Sequence, residues 1–194
     1  FNDPFDLMHG VGQSAICAAF KGELGPETTD DPASAGIVPI AGPTEENGAI
    51  RVPADAYLWL SANTDAEVLS SFSLMFDIRP ADTNGYKSIF QNDITNSADA
   101  GLFFKNSQIG RGSASNSLGY VGEFSSERWY RLLFVVQNSI ARLYVDGEKI
   151  RESPDPHDYW DLLGDALLFA DNDGEEGTVE LAELRLWDFP LSDT

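Results

Sequence analysis

The chain has 194 residues, and its 32 acidic against 12 basic side chains give a formal net charge of −20. This excess of carboxylates opposes binding to nucleic-acid phosphates and to anionic lipid surfaces. It suits solubility in salt or the binding of divalent cations. No apolar run approaches the roughly 18 residues of a membrane-spanning helix, so we expect no membrane insertion. Cys17 is the single cysteine, which excludes an internal disulfide.

The first half of the chain predicts short strands separated by polar turns. Residues 1–47 contain several prolines and glycines and only short apolar runs. Alternating apolar residues predict a strand over 71–78, which Pro80 ends. Three shorter strands are predicted over 86–91, 101–105 and 107–109. A turn is predicted over 110–117.

The second half gives the clearest pattern. Apolar and aromatic residues dominate 128–136, as in a central strand that is covered on both faces. A return strand over 140–145 leads into Asp146-Gly147, a strong two-residue hairpin signal, and a third strand over 148–151 completes an antiparallel meander.

The last part predicts one short helix and two further strands. Asp155 and Pro156 begin a predicted helix with its body over 157–163. Strands are predicted over 166–170 and 178–187, on either side of an acidic loop. In the second of these strands the apolar phase switches, which predicts a β-bulge at Ala182-Glu183. The whole pattern predicts a single all-β domain, an antiparallel two-sheet sandwich or jelly roll over residues 1–194.

Four segments in order resemble the laminin-G-like branch of the concanavalin A-like lectin/glucanase superfamily. They are 71–80, 127–132, 141–147 with its Leu-Tyr-Val-Asp-Gly hairpin, and 180–188 followed by Leu191-Ser192. The resemblance covers residues 48–192, and we expect residues 1–47 to complete the jelly roll. It departs from the family pattern at Tyr130, where histidine is usual, and at Ala182, where aspartate is usual.

A calcium site is predicted in the acidic loop between the last two strands. Residues 171–177 read Asp-Asn-Asp-Gly-Glu-Glu-Gly, and oxygen ligands at alternating positions on a glycine-bent loop suit Ca²⁺. We take Asp171 and Asp173 as the ligands, with Asp93 and Asp99 as second choices. The resemblance also implies Ca²⁺ at a sheet rim. The alternative is an acidic loop that is merely solvated.

Exposed aromatic rings are candidates for stacking against sugars. Tyr57 and Trp59 lie near a strand end, and Tyr159 and Trp160 lie in the predicted helix. The alternative for each of these four residues is packing in the core.

The resemblance implies a recognition module rather than an enzyme. We expect a non-catalytic domain that binds a glycan or a protein surface, in a larger extracellular or periplasmic bacterial protein whose other domains contact it. One alternative is a structural spacer beside a catalytic domain. Another is a glycoside hydrolase that uses Glu180 and Glu183, whose odd spacing separates them onto opposite faces unless the bulge intervenes.

Overall fold

The fold is built from two packed antiparallel sheets. The structure is a computed structural model, and it describes residues 22–24, 27–29, 38–42, 48–61, 69–97, 99–112, 117–126, 128–154, 160–162 and 165–192. Within these ranges the regular structure consists of strands, and no helix is present. Consequently, the described part of the chain offers no helix of the length and apolarity needed to cross a bilayer.

The larger sheet contains seven strands with long, apolar central members. Its spatial order is β13 (Glu148–Pro154), β12 (Ile140–Val145), β11 (Tyr130–Gln137), β6 (Phe72–Pro80), β15 (Val179–Trp187), β4 (Gly48–Val52) and β3 (Val38–Ala41). Every neighbouring pair in this sheet is antiparallel. Strands β6 and β15 lie at its centre, which fits their nine-residue length and high apolar content.

The smaller sheet contains six strands and lies against the larger one. Its order is β10 (Gly119–Val121), β9 (Gln108–Arg111), β8 (Leu102–Lys105), β7 (Tyr86–Gln91), β14 (Asp165–Leu168) and β5 (Leu58–Ser61). A separate two-stranded sheet joins β1 (Gly22–Leu24) to β2 (Glu27–Thr29).

Aromatic rings form the centre of the core and connect the two sheets. Phe72 and Phe134 come from the larger sheet, and Phe90 comes from the smaller one. The ring centroids of Phe72 and Phe90 are 6.3 Å apart, and those of Phe90 and Phe134 are 6.5 Å apart. Trp160 packs edge-on against Phe134 at 5.5 Å. Burial of these large side chains supplies much of the driving force for closing the sandwich.

Several local predictions are confirmed. The meander is β11–β12–β13, and its hairpin turns at Asp146 and Gly147 with φ values of 52° and 87°. The β15–β6 register shifts between Leu181 and Glu183, which places the predicted bulge at Ala182. The expectation of one domain over residues 1–194 stays a prediction, and one of the short apolar runs of the first 47 residues, 15–20, lies outside the described residues.

Two predictions are corrected. Residues 110–117 were expected to be a turn, but β9 continues to Arg111, and the unpredicted strand β10 pairs with it. Short, glycine-rich strands carry little apolar alternation, so this pairing leaves a weak signal in the sequence. The predicted helix fails at Leu162, whose backbone pairs with Leu69 in an isolated antiparallel bridge. Residues 155–159 and 163–164 of that helix lie outside the described residues.

Gly147→Val tests the hairpin. Open space surrounds the position of a Cβ atom at Gly147, so the cost is the backbone strain of valine at positive φ. We expect a loss of about 1–2 kcal/mol in the free energy of unfolding, measured by urea denaturation.

Gly48→Val is the matched control, because Gly48 is an exposed strand residue with equally open space. Valine suits a strand, so this variant should be as stable as wild type or more stable. Equal losses in the two variants would refute the assignment of the strain to Gly147.

Candidate metal centre and the neighbouring aromatic surface

The candidate site forms where two loops meet beside β7. The first loop follows β7 and spans 92–100, and the second follows β14 and spans 169–178. Asp171 joins them: its Oδ1 accepts a hydrogen bond from the Ala100 amide at 2.9 Å. Its carbonyl oxygen accepts one from Asn96 Nδ2, also at 2.9 Å. The second loop then returns to β7, where the Ser88 amide donates to the Glu175 carbonyl oxygen at 2.8 Å.

Three carboxylates converge in the second loop. One oxygen from each of Asp171, Asp173 and Glu175 lies within 4.8 Å of the other two. Gly174, with φ of 89°, bends the backbone between the last two of these residues. Asp173 is exposed and Glu175 is half-buried, whereas Asp171 is only 2% exposed. The group therefore has one buried and two more accessible oxygen donors.

Two oxygens at this site are buried without a described hydrogen-bond partner. They are Asp171 Oδ2 and Asn96 Oδ1. A buried oxygen that accepts no hydrogen bond is costly. Carboxylate and amide oxygens are also the ligands that Ca²⁺ prefers, at six to eight positions in a flexible geometry. The donor set fits a hard divalent cation.

The protonation equilibria reflect the crowding of negative charge. Burial raises the pKa of Asp171 to about 6, and the neighbouring Asp173 and Glu175 carboxylates raise it further, against the opposing hydrogen bond from Ala100. Burial and the charges of Asp173 and Asp99 also raise the pKa of Glu175. A bound cation would relieve this repulsion.

The second-choice ligands have different positions. Both oxygens of Asp93 accept hydrogen bonds from the amides and hydroxyls of Thr95 and Ser97. These bonds hold the pKa of Asp93 well below its usual range. Asp93 therefore shapes the first loop, and its oxygens are already occupied. Asp99 lies close enough to act on Glu175 through its charge.

The four predicted sugar-stacking residues are separated by the fold. Trp160 is fully buried, and its Nε1 donates to the Gly101 carbonyl oxygen at 2.8 Å. It has no exposed ring face, so a stacking role does not fit its position. Tyr159 lies outside the described residues. Tyr57 and Trp59 are half-buried at the edge of the smaller sheet, where Trp59 pairs with Leu167 of β14, and they stay candidates.

A group that the sequence did not reveal lies on the outer face of the smaller sheet. We call Tyr86, Phe103, Lys105 and Tyr120 the lysine–tyrosine cluster. The Lys105 ammonium contacts the Tyr86 hydroxyl, and it lies 4.1 Å from the Tyr86 ring centroid and 4.9 Å from that of Tyr120. Tyr86 packs edge-on against both Phe103 and Tyr120. The cluster joins residues from three strands.

The cluster is electrostatically connected to the acidic loop. Burial raises the pKa of Tyr120 above its usual range, and the Tyr86 phenol and the Glu175 carboxylate add to the rise. The charges of Lys105 and Lys87 act to lower the pKa of Glu175, because they stabilise its charged form. The acidic loop and the aromatic surface are therefore neighbouring parts of one surface.

The bulge in β15 decides the geometry of the candidate catalytic pair. Because Ala182 is the extra residue, Glu180 pairs with Arg79 and Glu183 pairs with Asp77, two residues apart on β6. Both glutamates therefore lie on the outer face of the larger sheet.

Arginines hold both glutamates. The Glu180 carboxylate accepts hydrogen bonds from Arg51 and Arg79, one on each oxygen. Arg131 and Arg185 contact Glu183. A general acid needs an oxygen that can reach the substrate, and Glu180 has both of its oxygens bound. The pair does not fit an acid–base arrangement.

Comparison with known families identifies the fold. A laminin-G-type family model, described as the concanavalin A-like lectin/glucanases superfamily, matches residues 53–194, which is well over half of the chain. The chain belongs to this superfamily. The resemblance found in the sequence and the predicted jelly-roll sandwich are confirmed. Comparison with curated proteins gives no match.

Solved structures with a similar fold come from enzymes. A sialidase from Trypanosoma rangeli aligns with a TM-score of 0.58 and 11% identity, covering 75% of this chain and only 26% of the sialidase. Domain 4 of AbnA, an extracellular arabinanase from Geobacillus stearothermophilus, was solved with arabinotriose. It aligns with a TM-score of 0.54 and 13% identity, covering 81% of this chain and 77% of that domain. The alginate lyase AlgAT5 aligns with a TM-score of 0.53 and 10% identity, covering 88% of this chain and 94% of the lyase. Identities this low show a shared fold alone.

Asp171→Asn tests the charge crowding. The variant keeps the oxygen that accepts from Ala100 and removes the buried charge. Since the folded wild type holds this proton more tightly than the unfolded chain does, its stability falls as the pH rises from 3.8 towards about 6. In chelator at neutral pH, Asp171→Asn should therefore unfold with a free energy higher than wild type by on the order of 2 kcal/mol.

The pH profile of the difference is the decisive measurement. The gain of Asp171→Asn over wild type should disappear below the usual pKa of aspartate, and saturating Ca²⁺ should reverse the order at neutral pH. A variant that is less stable than wild type by the same amount at every pH, with and without Ca²⁺, would contradict the crowding.

Proposed function

We propose that this domain is a non-catalytic recognition module that binds a glycan, with a Ca²⁺ ion held by Asp171, Asp173 and Glu175. The observation that carries the proposal is the convergence of one oxygen each from Asp171, Asp173 and Glu175 within 4.8 Å of one another, together with an Asp171 Oδ2 that is buried without a described hydrogen-bond partner. Asn96, whose Nδ2 donates to the Asp171 carbonyl oxygen, also has a buried Oδ1 without a described partner. The ion would stabilise the two loops and so fix the surface beside them.

The neighbouring surface supports a carbohydrate as the ligand. Half-buried tyrosines and a lysine offer ring edges, hydroxyls and an ammonium group, which are suited to sugar hydroxyls. The same fold is found in an arabinanase domain that was solved with arabinotriose. We propose further that the domain works outside the cytoplasm, extracellular or periplasmic, as part of a larger bacterial protein.

Thermal unfolding tests the metal. Wild type should be stabilised by Ca²⁺, by about 2.7 kcal/mol at 100 times its dissociation constant, while Mg²⁺ should substitute poorly. That corresponds to a rise in melting temperature of roughly 5–10 °C for a domain of this size. Asp173→Asn/Glu175→Gln should lose the response, measured against chelator at constant ionic strength.

Diffuse screening of the net charge is the competing explanation, because any salt stabilises a chain with a charge of −20. Glu123→Gln/Glu148→Gln is the matched control: it removes two exposed charges that lie around a groove away from the acidic loop. The control should respond to Ca²⁺ as wild type does. Equal responses from all three proteins would refute the metal site.

A glycan array tests the ligand class. We expect carbohydrates of one class to bind in Ca²⁺ and to be released by chelator, since the loops that border the surface depend on the ion. Failure of every glycan to bind the Ca²⁺-loaded domain would contradict the glycan proposal, even where the melting response is retained.

A further inference from the structure

Lys105 has an unusual environment for a cation in so acidic a chain. Its ammonium contacts a phenol oxygen and the faces of two tyrosine rings. Among the described residues, no carboxylate lies within ion-pair distance of it, although the chain has 32 acidic side chains. Tyrosine rings stabilise an ammonium group without neutralising its charge. The positive charge of Lys105 is therefore available to a ligand.

Two hydroxyl groups lie beside this ammonium. The Tyr86 oxygen accepts from Lys105, and the phenols of Tyr86 and Tyr120 are hydrogen-bonded to each other. One phenol proton is therefore used between the two oxygens. The ammonium and the remaining phenol O–H can donate hydrogen bonds to a ligand at this place.

The strand between the aromatic residues has a glycine where their side chains face one another. Gly110 pairs with both Phe103 and Tyr120, and it has no side chain to fill the row between them. Its φ is 155°, and a Cβ atom there would lie 1.6 Å from the Gly119 carbonyl oxygen. The fold therefore requires glycine at this position, and the rings of Tyr86 and Tyr120, which come from strands on either side of it, lie 6.1 Å apart between centroids.

We propose that the lysine–tyrosine cluster is the subsite for an anionic group on the glycan, a carboxylate or a sulfate of an acidic sugar. The inference rests on the proposed glycan recognition and specifies its ligand class. Lys105 supplies the charge, and the hydrogen-bonded pair of phenols, Tyr86 and Tyr120, supplies one directed hydrogen bond. An ammonium that is partly removed from water binds an anion more strongly than one on an open surface.

The acidic loop connects this subsite to the cation. Without a metal ion, the Glu175 carboxylate repels an incoming anion and competes for the charge of Lys105. With Ca²⁺ bound, Glu175 is neutralised and the field over the cluster becomes more positive. Acidic sugars should therefore bind more tightly in Ca²⁺ than in chelator.

Isothermal titration calorimetry with three defined oligosaccharides tests the subsite. The probes are trigalacturonate as the carboxylated sugar, neocarratetraose sulfate as the sulfated sugar, and maltotetraose as the neutral one. At physiological ionic strength in Ca²⁺, at least one acidic probe should bind at least about tenfold more tightly than maltotetraose, as charge-assisted hydrogen bonds imply. The two acidic arms distinguish carboxylate from sulfate.

Variants assign that preference to the cluster. Lys105→Met keeps the length of the side chain and should lower the affinity for the acidic probe by about tenfold or more. Tyr120→Phe removes one hydroxyl and should weaken it by a smaller factor. Lys149→Met on β13 of the other sheet, where Lys149 contacts Glu152, is the matched control and should bind as wild type does.

The outcomes separate this inference from the proposed function. The inference is overturned if Lys105→Met and Tyr120→Phe bind the acidic probe as wild type does, or if neither acidic probe binds more tightly than maltotetraose. Maltotetraose binding without any acidic preference would refute the subsite and leave glycan recognition standing. Loss of acidic binding in Lys105→Met, with its Ca²⁺-dependent melting intact, supports the subsite independently of the metal.

Discussion

Asp171 is a carboxylate that the fold buries while meeting only part of its requirement for hydrogen bonds. Its Oδ1 and its carbonyl oxygen hold the loop after β7, and its amide contacts the Glu176 side chain within its own loop. Its Oδ2 has no described partner. Asp171 holds both loops in place, so its Oδ2 stays buried at the site. The chemistry of the site therefore depends on what partner this oxygen finds. We propose that a divalent cation is that partner, since three carboxylates converge there.

The sandwich creates this situation through the way β14 ends. After Leu168 the regular strand ends: the Phe169 amide still donates to the Ile89 carbonyl oxygen of β7, and Phe169 takes a positive φ of 67° before the acidic loop begins. A buried aromatic residue in that conformation is strained, and such strain persists only where the surrounding packing fixes it. The Asp93 turn fixes the other loop through its bonds to Thr95 and Ser97. Packing and local hydrogen bonds therefore support both loops, and the proposed ion would add to that support.

Local patterns in the sequence predict much of the fold and part of the site. The Asp146-Gly147 turn depends on two adjacent residues, and the bulge at Ala182 appears as a switch of apolar phase within one strand. The acidic loop is visible in the sequence as a local run of acidic residues, asparagine and glycine. Glu175 is within that loop, but its place beside Asp171 and Asp173 depends on the bend at Gly174.

The lysine–tyrosine cluster could not be predicted in this way. Tyr86, Lys105 and Tyr120 belong to different strands, and only the order of the sheet brings them together. Trp160 illustrates the opposite case, since a residue predicted as a candidate for stacking against sugars is part of the core. In both cases long-range packing decides what a side chain can contact, and periodicity reports only local structure.

An anomalous difference map from a crystal grown in Ca²⁺ tests the central claim most directly. The account predicts a peak within bonding distance, about 2.3–2.6 Å, of Asp171 Oδ2 and of oxygens from Asp173 and Glu175. An ordered acidic loop in saturating Ca²⁺, with no peak and with Asp171 Oδ2 bonded to protein or water instead, would contradict it.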